Sequence, residues 1–125
     1  MRPGAWCAAL TLLAGCGHHP SGGEEVAPRE RAEIGVIVEN QYTGLVSIYL
    51  DVSGRAQRLG EVHFAETRSF VVPWRTLSEG GALELRGEVI GSDEQARTGV
   101  FKMMPGSVVR WTLTPRLTMS YYAVY

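Results

Sequence analysis

Leu83-Glu84-Leu85-Arg86-Gly87-Glu88-Val89 decides the fold class. Leu83, Leu85, Gly87 and Val89 alternate with three charged residues, a period of two that turns one face of a strand to an apolar interior and the other to water. Working outward, the same period recurs. Ile34, Val36 and Val38 alternate in a first strand; Val46, Ile48 and Leu50 alternate with Ser47, Tyr49 and Asp51 in a second. Asn40 to Gly44 supplies turn residues between them. Gln57 to Phe64 reads as a third strand, with Gly60 marking a bulge where it interrupts the alternation.

Phe70, Val72 and Trp74 define a fourth strand ending near Pro73, which has no amide hydrogen to donate to a ladder. Trp74 to Leu77 makes one helical turn, and Ser78 to Gly81 breaks it. After the strand containing Leu83 to Val89 and a turn at Gly91 to Glu94, Thr98 to Met103 is read as a sixth strand. Pro105-Gly106 then fills the centre of a type II turn, and Val109, Trp111 and Leu113 alternate in a seventh strand. Leu117 to Tyr125 is the eighth; apolar groups on both its faces predict a place inside a sheet, an open edge being the alternative. Seven to eight short strands predict an all-β domain over residues 34–125, an antiparallel β-sandwich of immunoglobulin-like architecture with Phe70, Trp74 and Trp111 as core anchors. An eight-stranded membrane barrel is disfavoured, because its strands need about 9 to 11 residues each with an apolar outer band.

The opening of the chain has a different character. Met1 to Gly4 carries one basic side chain, and Ala5 to Ala14 follows with ten uncharged residues, the shape of a secretory signal peptide over residues 1–15. Ten helical residues rise about 15 Å, roughly half a hydrocarbon core, so this run is too short to remain as a span. It ends in Leu13-Ala14-Gly15-Cys16, which resembles the lipobox of bacterial lipoproteins. The resemblance implies cleavage between Gly15 and Cys16 and acyl chains on the Cys16 sulfur. Two or three chains, each buried methylene contributing about 0.8 kcal/mol, give stable membrane anchoring. Gly at position 17, where inner-membrane retention uses Asp, implies the outer membrane of the bacterial cell envelope. Cys7 and Cys16 are the only two cysteines, so a processed chain has no thiol left for a disulfide.

Residues 16–33 are rich in Gly, Pro, Ser, His and charge, the composition of a flexible tether beyond the lipidated cysteine. As a coil its reach is about 20 to 25 Å, which holds the domain near the membrane. His18-His19 lies here without a further ligand nearby, so no metal site is assigned. The domain itself is similar to small uncharacterised β-sandwich envelope lipoproteins. The similarity rests on Glu39-Asn40, Ile48-Tyr49, Arg58 to Val62, Phe70, Pro73 and Pro105 to Leu113. It implies no activity.

Chemistry is sparse. The 12 basic and 13 acidic residues, for a net charge of -1, give phosphate no electrostatic reason to bind, so nucleic acid is excluded as a partner. His63 has no nucleophile elbow to serve, and Glu84 with Glu88 has Arg86 between them on one face, a charge row rather than a carboxylate pair. Zinc spacings, phosphate loops and dinucleotide fingerprints do not occur. The expectation is a protein that is not an enzyme, with no cofactor or metal, anchored through Cys16 and binding an envelope protein partner. Tyr49, Tyr122 and Tyr125 are the candidate interaction surface, tyrosine giving wide contact at low entropic cost. The alternative is a carbohydrate- or small-ligand-binding sandwich that uses the same aromatic faces.

Overall fold

The computed structural model describes residues 32–125. The expected signal peptide, the lipobox-like segment with Cys16, and His18-His19 lie outside the described residues. The described chain is all-β. Nine strands run in order: β1 (Glu33–Asn40), β2 (Val46–Val52), β3 (Arg55–Val62), β4 (Thr67–Pro73), β5 (Ala82–Val89), β6 (Gln95–Arg97), β7 (Phe101–Lys102), β8 (Val108–Leu113) and β9 (Tyr121–Val124). They form two sheets, one ordered β4-β1-β8-β9 and the other β3-β2-β5-β6, with β7 also pairing with β5.

Alternation explains the core. Val36 and Val38 of β1, Ile48 and Leu50 of β2, Leu83 and Leu85 of β5, and Val109, Trp111 and Leu113 of β8 are all buried in one cluster contributed by both sheets. Of the three expected anchors only Trp111 is fully buried; Phe70 and Trp74 pack against the cluster from its margin. Phe70 lies on an edge strand with the Arg68 guanidinium 5.1 Å above its ring, and Trp74 lies in a 3-10 turn, Trp74–Thr76, beyond the end of that strand.

Several expectations are corrected. The pairing is not wholly antiparallel, because β1 and β8 run parallel from Gly35↔Val108 to Asn40↔Leu113. A parallel pair needs a long crossover, and here the chain from β2 to β7 supplies it. The sixth strand is not continuous from Thr98 to Met103. Its pairing begins earlier, at Gln95, and breaks between β6 and β7 where Gly99 has φ 78°. Leu117 to Tyr125 is likewise divided: a 3-10 turn, Leu117–Met119, precedes β9, and β9 lies at the edge of its sheet rather than inside it. The bulge in β3 is present, Ile48 pairing with Gly60 and Tyr49 with Arg58 so that Leu59 is passed over. The turn at Pro105-Gly106 also forms, with the Ser107 amide donating to the Met104 carbonyl at 3.0 Å and Gly106 at φ 83°.

One end of the molecule is closed by Asn40, which is buried at the end of β1. Its Nδ2 donates to the carbonyls of Gly44 at 2.9 Å and Val62 at 3.0 Å, while its Oδ1 accepts from the Tyr42 amide at 2.9 Å. A single side chain thus ties the β1–β2 turn to the end of β3.

Candidate interaction surface

Position and direction of the last strand follow from its approach. Leu117, buried, anchors the 3-10 turn, and Ser120 leaves it with its Oγ accepting from the Thr114 amide at 3.2 Å. β9 then runs antiparallel to β8, with Thr112↔Tyr121, Trp111↔Tyr122, Arg110↔Ala123 and Val109↔Val124. Beyond the strand Val108 and Tyr125 exchange both backbone hydrogen bonds, at 3.2 and 2.8 Å. Hydrogen-bonded and non-hydrogen-bonded pairs alternate along an antiparallel ladder. The backbone groups of Tyr121, Ala123 and Tyr125 therefore face β8, and those of Tyr122 and Val124 face outward.

Residues opposite one another share a face. Tyr122 accordingly takes the inner side with Trp111, and beyond the core it stacks on Phe101, ring centroids 4.5 Å apart. Tyr121, Ala123 and Tyr125 take the outer side. Register across the whole sheet then sets out rows on that face: Val71–Gly35–Val108–Tyr125 at one end and Ser69–Ile37–Arg110–Ala123 in the middle. The next row, Thr67–Glu39–Thr112–Tyr121, supplies the acid that pairs with Arg110, at 2.9 Å. That arginine and the Gln41 amide hold the Glu39 carboxyl below its usual range. The face is otherwise uncharged in these rows, and Tyr121 and Tyr125 are 60% and 73% exposed at its margin.

The remaining edges are protected in ways that β9 is not. β3 carries Arg55 and Arg58 and a bulge; β4 carries Arg68 and ends at Pro73; β6 and β7 are three and two residues long. Charge, proline, bulges and shortness are the means by which sheets avoid adding a foreign strand. Tyr121-Tyr122-Ala123-Val124 has none of the first three, and all four residues are exposed.

The three tyrosines singled out from sequence are not brought together. Tyr49 belongs to the other sheet, on β2, with the Arg86 guanidinium 4.5 Å above its ring. Tyr122 lies in β9 and Tyr125 just beyond its end, and they point to opposite faces. Parity was the available signal: odd-numbered Tyr121 and Tyr125 can share a face, whereas Tyr122 cannot join them. Phe101, the stacking partner, carried no such signal because its neighbour comes from the other sheet.

Elsewhere the main polar cluster is paired. An open cleft of about 580 Å³ contains Asp51, Glu84, Arg86 and Arg97. Arg86 bonds Asp51 at 2.9 Å and also Glu88, and Arg97 bonds Glu84 at 2.9 Å, so the expected charge row forms with each of its members in an ion pair. Asp51 and Glu88 raise the Arg86 pKa further, with the Asp51 hydrogen bond the largest influence. His63 lies exposed just past β3. No group of three or more His, Cys, Asp or Glu side chains is placed to hold a metal among the described residues, and none of their helices is long and apolar enough to cross a membrane.

No family model and no curated protein matches this chain. Among solved structures, one described as the NMR structure of the protein from Eubacterium rectale is similar at 17% identity and a TM-score of 0.47, over 81% of this chain and 94% of that one.

Proposed function

We propose that this chain is a lipid-anchored bacterial envelope protein whose β domain is a non-catalytic interaction module, with β9 as the strand on which a protein partner docks. The observation that carries the reading is the β9 edge, which has no charged side chain, proline or bulge and offers backbone groups of Tyr122 and Val124 to an added strand. The lipobox Leu13-Ala14-Gly15-Cys16 supplies the anchor, acyl chains on Cys16 after cleavage beyond Gly15, and Gly17 directs the product to the outer membrane.

The finer architecture we assign is an immunoglobulin-like sandwich. In support, the order β3-β2-β5-β6 parallels the C′-C-F-G sheet of that fold, and the β1–β4 pair stands where its B and E strands do. The parallel β8 beside β1 is this chain's own departure. The carbohydrate-binding alternative needs a shared aromatic platform, and Tyr49 lies on a different sheet from Tyr122 and Tyr125.

Two measurements test the proposal. Cys16→Ser should move the protein from the membrane to the soluble fraction; unchanged retention on the membrane rejects the anchor. Hydrogen exchange of the segment 117–125 should be slower in detergent-solubilised envelopes than in the dilute purified chain, and equal exchange rejects β9 as the docking strand.

A further inference from the structure

Building on the reading of β9 as a docking strand, we infer that the occupant of this edge is the β9 strand of a second copy of the chain, paired antiparallel about a two-fold axis at Ala123. Three observations converge on this partner. The first is hydrogen bonding. With Ala123 opposite Ala123 of the second copy, Tyr122 of each chain stands opposite Val124 of the other. These are the residues whose backbone groups face outward, so the pairing satisfies both outward amides and both outward carbonyls of each strand. Two four-stranded sheets thereby become one continuous sheet.

The second is charge. Self-pairing sets the side chains of β9 against those of β9, and Tyr121-Tyr122-Ala123-Val124-Tyr125 contains no charged side chain to repel its copy. β3, by contrast, carries Arg55, Arg58 and Glu61, and its bulge interrupts the straight ladder that self-pairing needs. On the outer face Tyr121 of one chain meets Tyr125 of the other, and small Ala123 at the axis leaves both aromatic pairs room.

The third is area. Taking about 200 Å² for a whole aromatic side chain, the exposed parts of Tyr121, Tyr122, Val124 and Tyr125 come to at most roughly 400 Å² per copy. Two copies then bury at most about 800 Å², below what a stable interface needs and in the small, weak class of contacts. Such a contact is weak in dilute solution and is populated when a short anchor confines two copies to a surface, where effective concentrations reach about 1 mM.

The test uses the full chain with Cys7→Ser and Cys16→Ser, so that an introduced cysteine is the only thiol. At a non-hydrogen-bonded antiparallel pair, Cα atoms are about 4.5 Å apart, inside the range of about 4.4–6.8 Å that a disulfide spans. With oxidised glutathione as electron acceptor, Ala123→Cys should yield a disulfide-linked dimer. Tyr121→Cys should not, because its copy lies four residues along the strand, about 14 Å away at 3.4 Å per residue. Sedimentation equilibrium up to about 1 mM should show a reversible dimer, and Val124→Pro should weaken it at least tenfold by deleting an amide that makes no bond to β8. Circular dichroism of that variant checks that the monomer still folds.

A chain that stays monomeric at the highest concentration, a dimer indifferent to Val124→Pro, or crosslinking through Tyr121→Cys as readily as Ala123→Cys overturns the inference. Slowed exchange at 117–125 in envelopes, combined with a monomeric purified chain, also overturns it while leaving β9 docking to a different protein intact.

Discussion

At Gly87 a methyl group would stand 2.9 Å from Val46 Cγ1, closer than packed carbons tolerate, and 3.3 Å from the Trp111 ring, a tight contact. The alternation of β5 places this residue inward, but the requirement for glycine comes from the approach of Val46 on neighbouring β2 and of Trp111 from the other sheet. Gly87→Ala should cost about 1–3 kcal/mol through overpacking, read as a lower urea midpoint with an unchanged denaturant slope. Asn40 shows the same gap between sequence and structure. Its identity suits a turn, yet its burial is explained by a carbonyl acceptor at Val62, far along the chain. Asn40→Ala should orphan buried backbone groups and destabilise the domain by about 1–3 kcal/mol, again by urea denaturation.

Among the elements, the ladders of β2 and β5 were legible because each has a polar face to contrast with its buried one. β9 was not legible, since a strand apolar on both faces can sit within a sheet or at its edge, and nothing local separates the two. Strand direction was hidden for a related reason: alternation looks the same beside a parallel or an antiparallel neighbour, so the β1–β8 pairing could not be read. The Glu39–Arg110 bond crosses that parallel pair and gives it a pH signature. Because the folded-state pKa of Glu39 is lowered, its contribution to stability is present above the ordinary carboxylate range and is lost as pH falls through the folded value. Glu39→Gln should therefore be less stable than the parent at pH near 7, and the difference should shrink in acid. Urea midpoints measured for both proteins across that range check it, and a gap that widens on acidification would contradict the assignment.

For the molecule as a whole, stability rests on packing between two sheets. Both cysteines precede residue 32, so no crosslink ties one described strand to another. The thermal unfolding midpoint of the purified chain should accordingly be the same with and without reductant, as followed by circular dichroism. Periodicity, turn chemistry and the cysteine positions, all local properties, are enough to set the all-β class, most strand positions, the Gly60 bulge and the Pro105-Gly106 turn. Sheet order, the parallel pair, the exposed edge and the separation of Tyr49 from Tyr122 and Tyr125 were decided only in the tertiary structure. They depend on which strands meet after long excursions of the chain, and backbone hydrogen bonding, common to nearly every residue, leaves no local trace of its partner.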